Sequence, residues 1–140
     1  MIRIRVQALI FDKDGNILFV KHVKNDKEYY VLPGGGVEYR EPLVSALLRE
    51  LEEELGIKRV FSVKFLKVRE FIDDSSERHI IDLYYYVVCD LEGIHLAEND
   101  GVLAGFRFFS LDDLKNVIVY PSYSFICDLV NDALGDLVKK

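Results

Sequence analysis

The sequence predicts an α/β fold built around a mixed β-sheet. Two main helical segments alternate with strand-like segments, which is the order that α/β domains show. Hairpin signals join some of the strands, and each hairpin requires an antiparallel pair, so the sheet must be mixed. Because the chain has 140 residues and 50% of them are hydrophobic, we expect one domain with a substantial core over residues 1–140.

The N-terminal part predicts a strand hairpin followed by a loop and a third strand. Met1 to Phe11 begins with alternating apolar and polar residues and is predicted to be a half-buried strand. Asp14-Gly15 marks a hairpin turn, and Ile17 to Val23 forms the second strand. The polar tract from Lys24 to Glu28 is predicted to be a loop, and Tyr29 to Leu32 forms a strand after it.

A helix is predicted between Pro42 and Gly56. Proline suits the first helical position, Glu41 before it can cap the helix, and glycine fits the left-handed residue just past the end. Apolar residues recur at three- and four-residue spacing, which predicts one buried face. That face consists of Val44, Leu47, Leu48, Leu51 and Leu55.

The second half of the chain predicts a strand pair, a short strand and a final helix. Val60 to Ile72 and His79 to Cys89 form the pair, and alternation places Tyr84 and Tyr86 on one face with Asp82. An acidic loop leads to a strand at Gly105 to Phe109. Turn and cap signals stand between these elements at Asp73 to Glu77, at Ser110, at Tyr120-Pro121 and at Ser122 or Ser124, where the last amphipathic helix starts.

Glutamates crowd the C-terminal half of the first helix. At about 100° per residue, Glu50, Glu53 and Glu54 fall within roughly a 100° arc, whereas Glu52 points away and is expected to be solvated. Like charges four residues apart destabilise a helix, and its C-terminal end favours cations. A bound Mg²⁺ or Mn²⁺ reverses this balance, because hard cations take several carboxylate oxygens. On the helix alone, a solvated acidic face is the alternative.

A glycine run, Gly34 to Gly36, precedes this helix. Glycine lets the backbone approach a ligand closely and exposes its N–H and C=O groups to it. By itself, the run is typical of a tight turn or loop. Together with the capped helix and the acidic cluster, it predicts a divalent-metal site.

This segment resembles the Nudix box, G-x5-E-x7-R-E-U-x-E-E-x-G-U, where U is aliphatic. Arg40 departs from the glycine that is common just before the first box glutamate, a position outside the fixed pattern. The fixed positions are matched by Gly35, Glu41, Arg49, Glu50, Leu51, Glu53, Glu54, Gly56 and Ile57.

The resemblance implies the Nudix fold, an α/β/α sandwich around a mixed sheet. It also implies a metal-dependent pyrophosphohydrolase that cleaves a nucleoside diphosphate linked to another moiety, such as ADP-ribose, a nucleotide sugar or a (d)NTP. Arg49 would orient the carboxylates, and Glu41 would hold the loop to the helix. The implied Mg²⁺ or Mn²⁺ ligands are a carbonyl at Gly34 and the carboxylates of Glu50, Glu53 and Glu54.

The resemblance leaves the general base and the activity itself open. In some relatives a box glutamate, here Glu53, activates the water, and in others an acid from a distant loop does so, which makes Glu98 and Asp100 candidates. An ordinary surface loop is the alternative for those two residues. A catalytically silent Nudix-fold nucleotide-binding module is the main alternative function. An isoprenyl diphosphate isomerase would need further catalytic residues, which we do not identify.

Charge and composition exclude several other classes. The net charge is −6 and no basic tract occurs, which argues against general nucleic-acid binding but not against a polyphosphate that a metal neutralises. Cys89 and Cys127 are too few and too far apart for a disulfide framework. No apolar stretch resembles a signal peptide or a membrane span, so we expect a cytoplasmic protein. The apolar N-terminal strand would allow a homodimer.

Overall fold

The computed structural model describes residues 1–97 and 103–138. The strands and helices that it contains follow the predicted order along the chain. They are β1 (Ile2–Leu9), β2 (Ile17–Lys24), β3 (Lys27–Val31), β4 (Gly34–Gly36), α1 (Leu43–Leu55), β5 (Val60–Asp73), β6 (Arg78–Cys89), β7 (Leu103–Phe109), α2 (Leu111–Leu114) and α3 (Tyr123–Val138).

The strands form two sheets, one of which is mixed as predicted. The first sheet has the order β4-β1-β6-β5, and β1 runs parallel to β6 while the other neighbours are antiparallel. The second sheet has the order β3-β2-β7 and is antiparallel. The parallel β1–β6 pair is what brings the N-terminal strand to the centre of the first sheet.

Two hydrophobic clusters lie on opposite faces of the strands. In one cluster α1 packs on side chains of both sheets, and in the other α3 does the same from the opposite side. On β1, Val6 and Ala8 belong to the α1 cluster and Leu9 to the α3 cluster. The α/β/α arrangement is therefore confirmed. The expectation that the first strand is half-buried is wrong for its C-terminal half, because a helix covers each face.

Two segments predicted to be loops are strands or tight turns. The tract from Lys24 to Glu28 turns within Asn25 and Asp26, whose φ values are 53° and 63°. Asn and Asp tolerate this left-handed backbone, so the chain needs only a two-residue hairpin. The glycine run forms β4, paired with β1, and is not a loop.

The start and the buried face of α1 also differ from the prediction. Pro42 is the N-cap residue and not the first helical residue, and no side chain caps the helix, so Glu41 has another role. Val44 and Leu48 are exposed, while Ala46 is buried. The helix buries only the stripe that faces β1 and β4, which is narrower than the apolar pattern suggests.

The other turn and cap predictions are confirmed. Ser110 Oγ accepts a hydrogen bond from the Asp113 N–H at 3.1 Å, and Ser122 Oγ accepts one from the Phe125 N–H at 3.1 Å. Tyr84 packs in the α3 cluster, as expected for an aromatic residue of a core strand. Cys89 and Cys127 are free thiols. Within the described ranges, we find no helix long and apolar enough to cross a membrane.

Candidate active site

Arg49, in the middle of α1, is the centre of a dense polar network. Its Nε and Nη2 donate to the two carboxylate oxygens of Glu41 over 2.8 and 2.9 Å, the bidentate geometry that suits a guanidinium. Its Nη1 donates to Glu50 Oε1 at 2.8 Å and to Glu53 Oε2 at 3.1 Å. Its Nη2 also donates to the Gly36 carbonyl at 3.0 Å. One side chain thus ties three box glutamates to the glycine strand.

The network holds Glu41 and Arg49 in their charged forms. Hydrogen bonds from Arg49 and from the Glu38 N–H lower the pKa of Glu41 from 4.5 to about 2. The Glu41 carboxylate, followed by Glu50, raises the pKa of Arg49. Glu41 therefore remains an anion at any pH at which the protein is expected to work. Its contacts to both Glu38 and Arg49 match the role that the box implies, which is to hold the preceding segment to the helix.

The glycines of β4 are required by close approach. A Cβ at Gly35 would overlap the Glu50 carboxylate, and one at Gly34 would overlap the backbone of Val6 on β1. Glu54 is buried, and its Oε1 accepts a hydrogen bond from the Gly34 N–H at 3.3 Å. The bare backbone of β4 therefore allows two glutamates of α1 to lie directly against it.

The predicted metal ligands lie together around β4 but do not all meet at one point. Glu50 and Glu53 converge on Arg49, whereas Glu54 turns toward Gly34. In residues 1–97 and 103–138, no three His, Cys, Asp or Glu side chains form a ready-made metal site. The donor set still fits a hard divalent cation, because it consists of carboxylate and backbone oxygens.

The other acids named in the sequence analysis have different outcomes. Glu52 is exposed, as predicted for a solvated residue. Glu98 and Asp100, the alternative general bases, lie outside the described residues. Glu53 is 49% exposed, so a substrate and water can reach it.

Replacing Gly35 with alanine is expected to leave the fold stable and to lower activity about 10- to 100-fold. The new methyl group meets only the end of the flexible Glu50 side chain, which can move at little cost in stability but then leaves its position. Steady-state kinetics and thermal melting check this. Gly36→Ala is the matched control, because its methyl group would lie 3.4 Å from Arg3 Nη2, an ordinary contact. Equal activity losses in the two variants would contradict the prediction.

Arg40 occupies a left-handed backbone position with a φ of 65°. This is the position where the box commonly carries glycine, and a side chain there costs about 1 kcal/mol. Arg40→Gly is therefore expected to raise the free energy of unfolding by about 0.5–1 kcal/mol, measured by urea denaturation. Arg40→Ala keeps the Cβ and should give no such gain. A gain of the same size in both variants would show that the arginine side chain, and not the backbone, is unfavourable.

A cavity of about 400 Å³ lies on the face of the first sheet that is opposite α1. The sheet register places Arg5, Asp82 and Arg69 side by side on β1, β6 and β5 at its floor. Sequence reasoning missed this site. The sequence contained two signals of this site, namely the polar residues that alternate along β1 and the single acid within the aromatic strand β6. Only the register of the sheet brings these residues together.

The cavity and the glutamate cluster are built on neighbouring strands of the first sheet, the cavity floor on β1, β6 and β5 and the glutamates against β4. Gly36 is the Cα partner of Arg5, and Arg5 is the partner of Asp82. With strands about 4.8 Å apart, Asp82 is roughly 10 Å from the glycine strand, which is comparable to the length of a nucleoside.

A comparison with protein families identifies the family to which a chain with these features belongs. A family model of the NUDIX domain matches residues 1–129. The chain belongs to the NUDIX family. A MutT NUDIX hydrolase from Burkholderia pseudomallei has a similar structure, with a TM-score of 0.75 and 28% sequence identity over 92% of this chain and 96% of that one. The NUDIX fold expected from the box is thereby confirmed.

Two curated relatives of this NUDIX chain have assigned names. An ADP-ribose pyrophosphatase from Methanocaldococcus jannaschii is 35% identical over 110 residues, which cover 77% of this chain and 62% of that protein. An RNA pyrophosphohydrolase from Pelagibacter ubique is 37% identical over 59 residues, or 42% of this chain and 37% of that protein. The match therefore spans less than two thirds of either relative.

Proposed function

We propose that this NUDIX protein hydrolyses the diphosphate bond of a nucleoside diphosphate linked to another group, with Mg²⁺ or Mn²⁺ bound. The observation that carries this proposal is the packing of three box glutamates around the side-chain-free β4. The names of the relatives support a substrate of this type. ADP-ribose, nucleotide sugars and (d)NTPs are the substrate classes proposed.

The residues of the box have separate roles in this reaction. Glu50, Glu53, Glu54 and a Gly34 carbonyl would hold the cation. A bound divalent cation neutralises phosphate oxygens and lowers the pKa of a coordinated water. Arg49 fixes the positions of Glu50 and Glu53 and holds them against the glycine strand. This positioning is the main contribution that a protein makes to phosphoryl transfer.

Glu53 is the general base in this proposal. It is the most exposed of the three carboxylates, and it can take a proton from an attacking water. The water oxygen forms a bond to phosphorus, the bridging anhydride P–O bond breaks, and two phosphate-containing products leave. Glu98 remains an alternative base as predicted from the sequence.

A panel of diphosphate compounds tests the proposal directly. ADP-ribose, a nucleotide sugar, a dNTP and a dinucleoside polyphosphate are incubated with protein and Mg²⁺, and the products are identified by phosphorus NMR. We expect cleavage within the diphosphate of at least one compound, and loss of this activity when EDTA removes the cation. Binding without cleavage of any compound would instead support a silent nucleotide-binding module.

Mg²⁺ or Mn²⁺ without substrate is expected to raise the melting temperature. A ligand at 100 times its Kd stabilises the folded state by about 2.7 kcal/mol, which corresponds to a shift of several degrees for a chain of this size. Differential scanning calorimetry across a metal titration measures the effect. The Glu50→Gln/Glu54→Gln double variant should lose it. A flat melting temperature in the wild-type protein over millimolar metal would contradict the assigned ligands.

A further inference from the structure

The floor of the cavity is a polar row in which one buried carboxylate lies between two partly exposed arginines. Asp82 is 6% exposed, and its Oδ1 accepts a hydrogen bond from Gln7 Nε2 at 2.9 Å. Arg5 Nε lies 3.7 Å from Oδ1, and Arg69 Nη1 lies 3.7 Å from Oδ2. Both guanidinium groups therefore stand near the carboxylate, but at distances too long for hydrogen bonds.

Two polar atoms of this row lack a hydrogen-bond partner among the described residues, and the arginine side chains beside them are partly exposed. Within the described part of the chain, Asp82 Oδ2 has no hydrogen-bond donor in reach, and Arg5 Nε is buried without an acceptor. An unpaired buried donor costs free energy, so a site that keeps Arg5 Nε unpaired beside an acceptor oxygen without a hydrogen bond is a good candidate for ligand recognition. A ligand that fits must offer a hydrogen-bond donor to Asp82 and an acceptor to the neighbouring arginines.

The walls of the cavity favour a flat ring. Tyr29 and Tyr120 meet edge to face with ring centroids 5.0 Å apart, and both line the cavity. The lining also contains Phe71, and the guanidinium groups of Arg69 and Arg78 lie 5.4 and 6.0 Å from the centroid of its ring. Aromatic and guanidinium planes are the surfaces on which nucleobases stack. The volume of about 400 Å³ is in the range of small-molecule sites.

We propose that Asp82, with Arg5 and Arg69, selects a nucleobase that carries a lactam edge, in which a ring N–H stands beside a carbonyl oxygen. This inference rests on the proposed function, because it takes the cavity as the place of the nucleoside. Asp82 accepts from the ring N–H, and the arginines donate to the carbonyl. Guanine, hypoxanthine and uracil present this edge, whereas adenine and cytosine present an amino group beside an unprotonated ring nitrogen.

The side chains of Asp82, Arg5 and Arg69 disfavour two alternative ligands, adenine and phosphate. With adenine, the lone pair of the ring nitrogen would face the Asp82 carboxylate and the amino group would face a guanidinium, so both contacts would be repulsive. A phosphate would gain from Arg5 and Arg69 but would face the negative charge of Asp82 between them. Only the lactam edge satisfies the carboxylate and the arginines together.

The test compares two ligands that differ at this edge alone. IMP and AMP have the same ribose phosphate, and IMP carries the lactam where AMP carries the amino group and unprotonated nitrogen. Both are titrated by calorimetry into the full chain in EDTA, so that neither metal nor turnover contributes. We expect IMP to bind at least about tenfold more tightly than AMP, because a matched pair of base contacts discriminates by this much or more. UMP against CMP repeats the comparison with pyrimidines.

Three variants assign the preference to residues. Asp82→Asn, which replaces an acceptor oxygen with a donor amide, should bring IMP and AMP within about threefold of each other. Arg69→Gln should weaken IMP about tenfold and AMP much less, and it keeps the test valid if the buried Asp82→Asn variant does not fold. Arg59→Gln is the control, because it removes the same charge at a 73% exposed site outside the cavity.

Several outcomes would overturn the inference. One is that AMP binds as tightly as IMP or more tightly, and another is that both cavity variants keep the IMP preference unchanged. A third is that none of the four nucleotides binds. The last is that inorganic phosphate displaces IMP in an Arg69-dependent manner while the protein shows no base preference. Binding that prefers IMP in a protein that cleaves no diphosphate would keep the inference and refute the proposed hydrolase. Cleavage without base preference would do the reverse.

Discussion

Replacing Glu53 with glutamine is expected to lower turnover by about 10²- to 10⁴-fold and to leave the fold intact. Turnover falls because glutamine can neither accept the proton of water nor give a full carboxylate to a cation. The fold survives because Glu53 is 49% exposed and, among the described residues, its side chain accepts one hydrogen bond, from Arg49 at 3.1 Å. Steady-state kinetics on the best substrate of the panel measures the loss, and circular dichroism checks the fold.

Glu52→Gln is the matched control for this experiment. It removes the same charge one residue away, from an exposed side chain that points away from β4. We expect its activity to remain within about twofold of the wild type. If Glu53→Gln kept near-normal activity, or if both variants lost activity equally, Glu53 would not be the base or a cation ligand, and Glu98 would become the first residue to test.

Replacing Arg49 with lysine is expected to reduce the free energy of unfolding by about 2–4 kcal/mol, even though the charge is kept. Arg49 contacts Glu41, Glu50, Glu53 and the Gly36 carbonyl through three nitrogens, and a lysine ammonium cannot reproduce this fork. Breaking part of a mostly buried charge network leaves carboxylates without a partner. For a chain of 140 residues this corresponds to roughly 10 °C in melting temperature.

Calorimetry measures this shift, and Arg59→Lys provides the comparison. Arg59 is 73% exposed, and its nearest acid, Asp90, lies 4.0 Å away, so its replacement should change the melting temperature by no more than a degree or two. The variant Arg49→Lys should also lose activity, because Glu50 and Glu53 are no longer fixed. A melting temperature equal to that of the control would mean that Arg49 contributes little to stability and that the network forms only in the presence of other partners.

The sequence predicts the parts of this site that are contiguous in the chain. From the sequence alone, the spacing of the box residues predicts the helix and the glycine segment and indicates the family. It does not predict that Glu54 is buried, because a helical arc cannot tell which glutamate faces β4. It also predicts a loop where Gly34 to Gly36 form a strand, since a glycine run has no side-chain pattern that favours pairing with β1.

Features that depend on tertiary register are not predicted. The row formed by Arg5, Asp82 and Arg69 comes from three strands, and the chain carries no local signal of which residues oppose each other. In the same way, Gln7 is buried and donates a hydrogen bond to Asp82 on β6, although the polar residues of β1 suggested that this face was solvated. Local pattern fixes which elements form, and the partners of each element decide which of its faces are covered.

The absence of side chains on β4 has a consequence for how this protein can change. The glutamates of α1 lie against the bare backbone of β4, whereas the residues that line the cavity come from other strands, β5 and β6 among them. Residues of the cavity can therefore be exchanged without replacing those that hold the glutamates. The substrate range and the hydrolytic chemistry can change independently in evolution. A mutant library confined to β5 and β6 would alter the substrate range and leave the glutamate site unchanged.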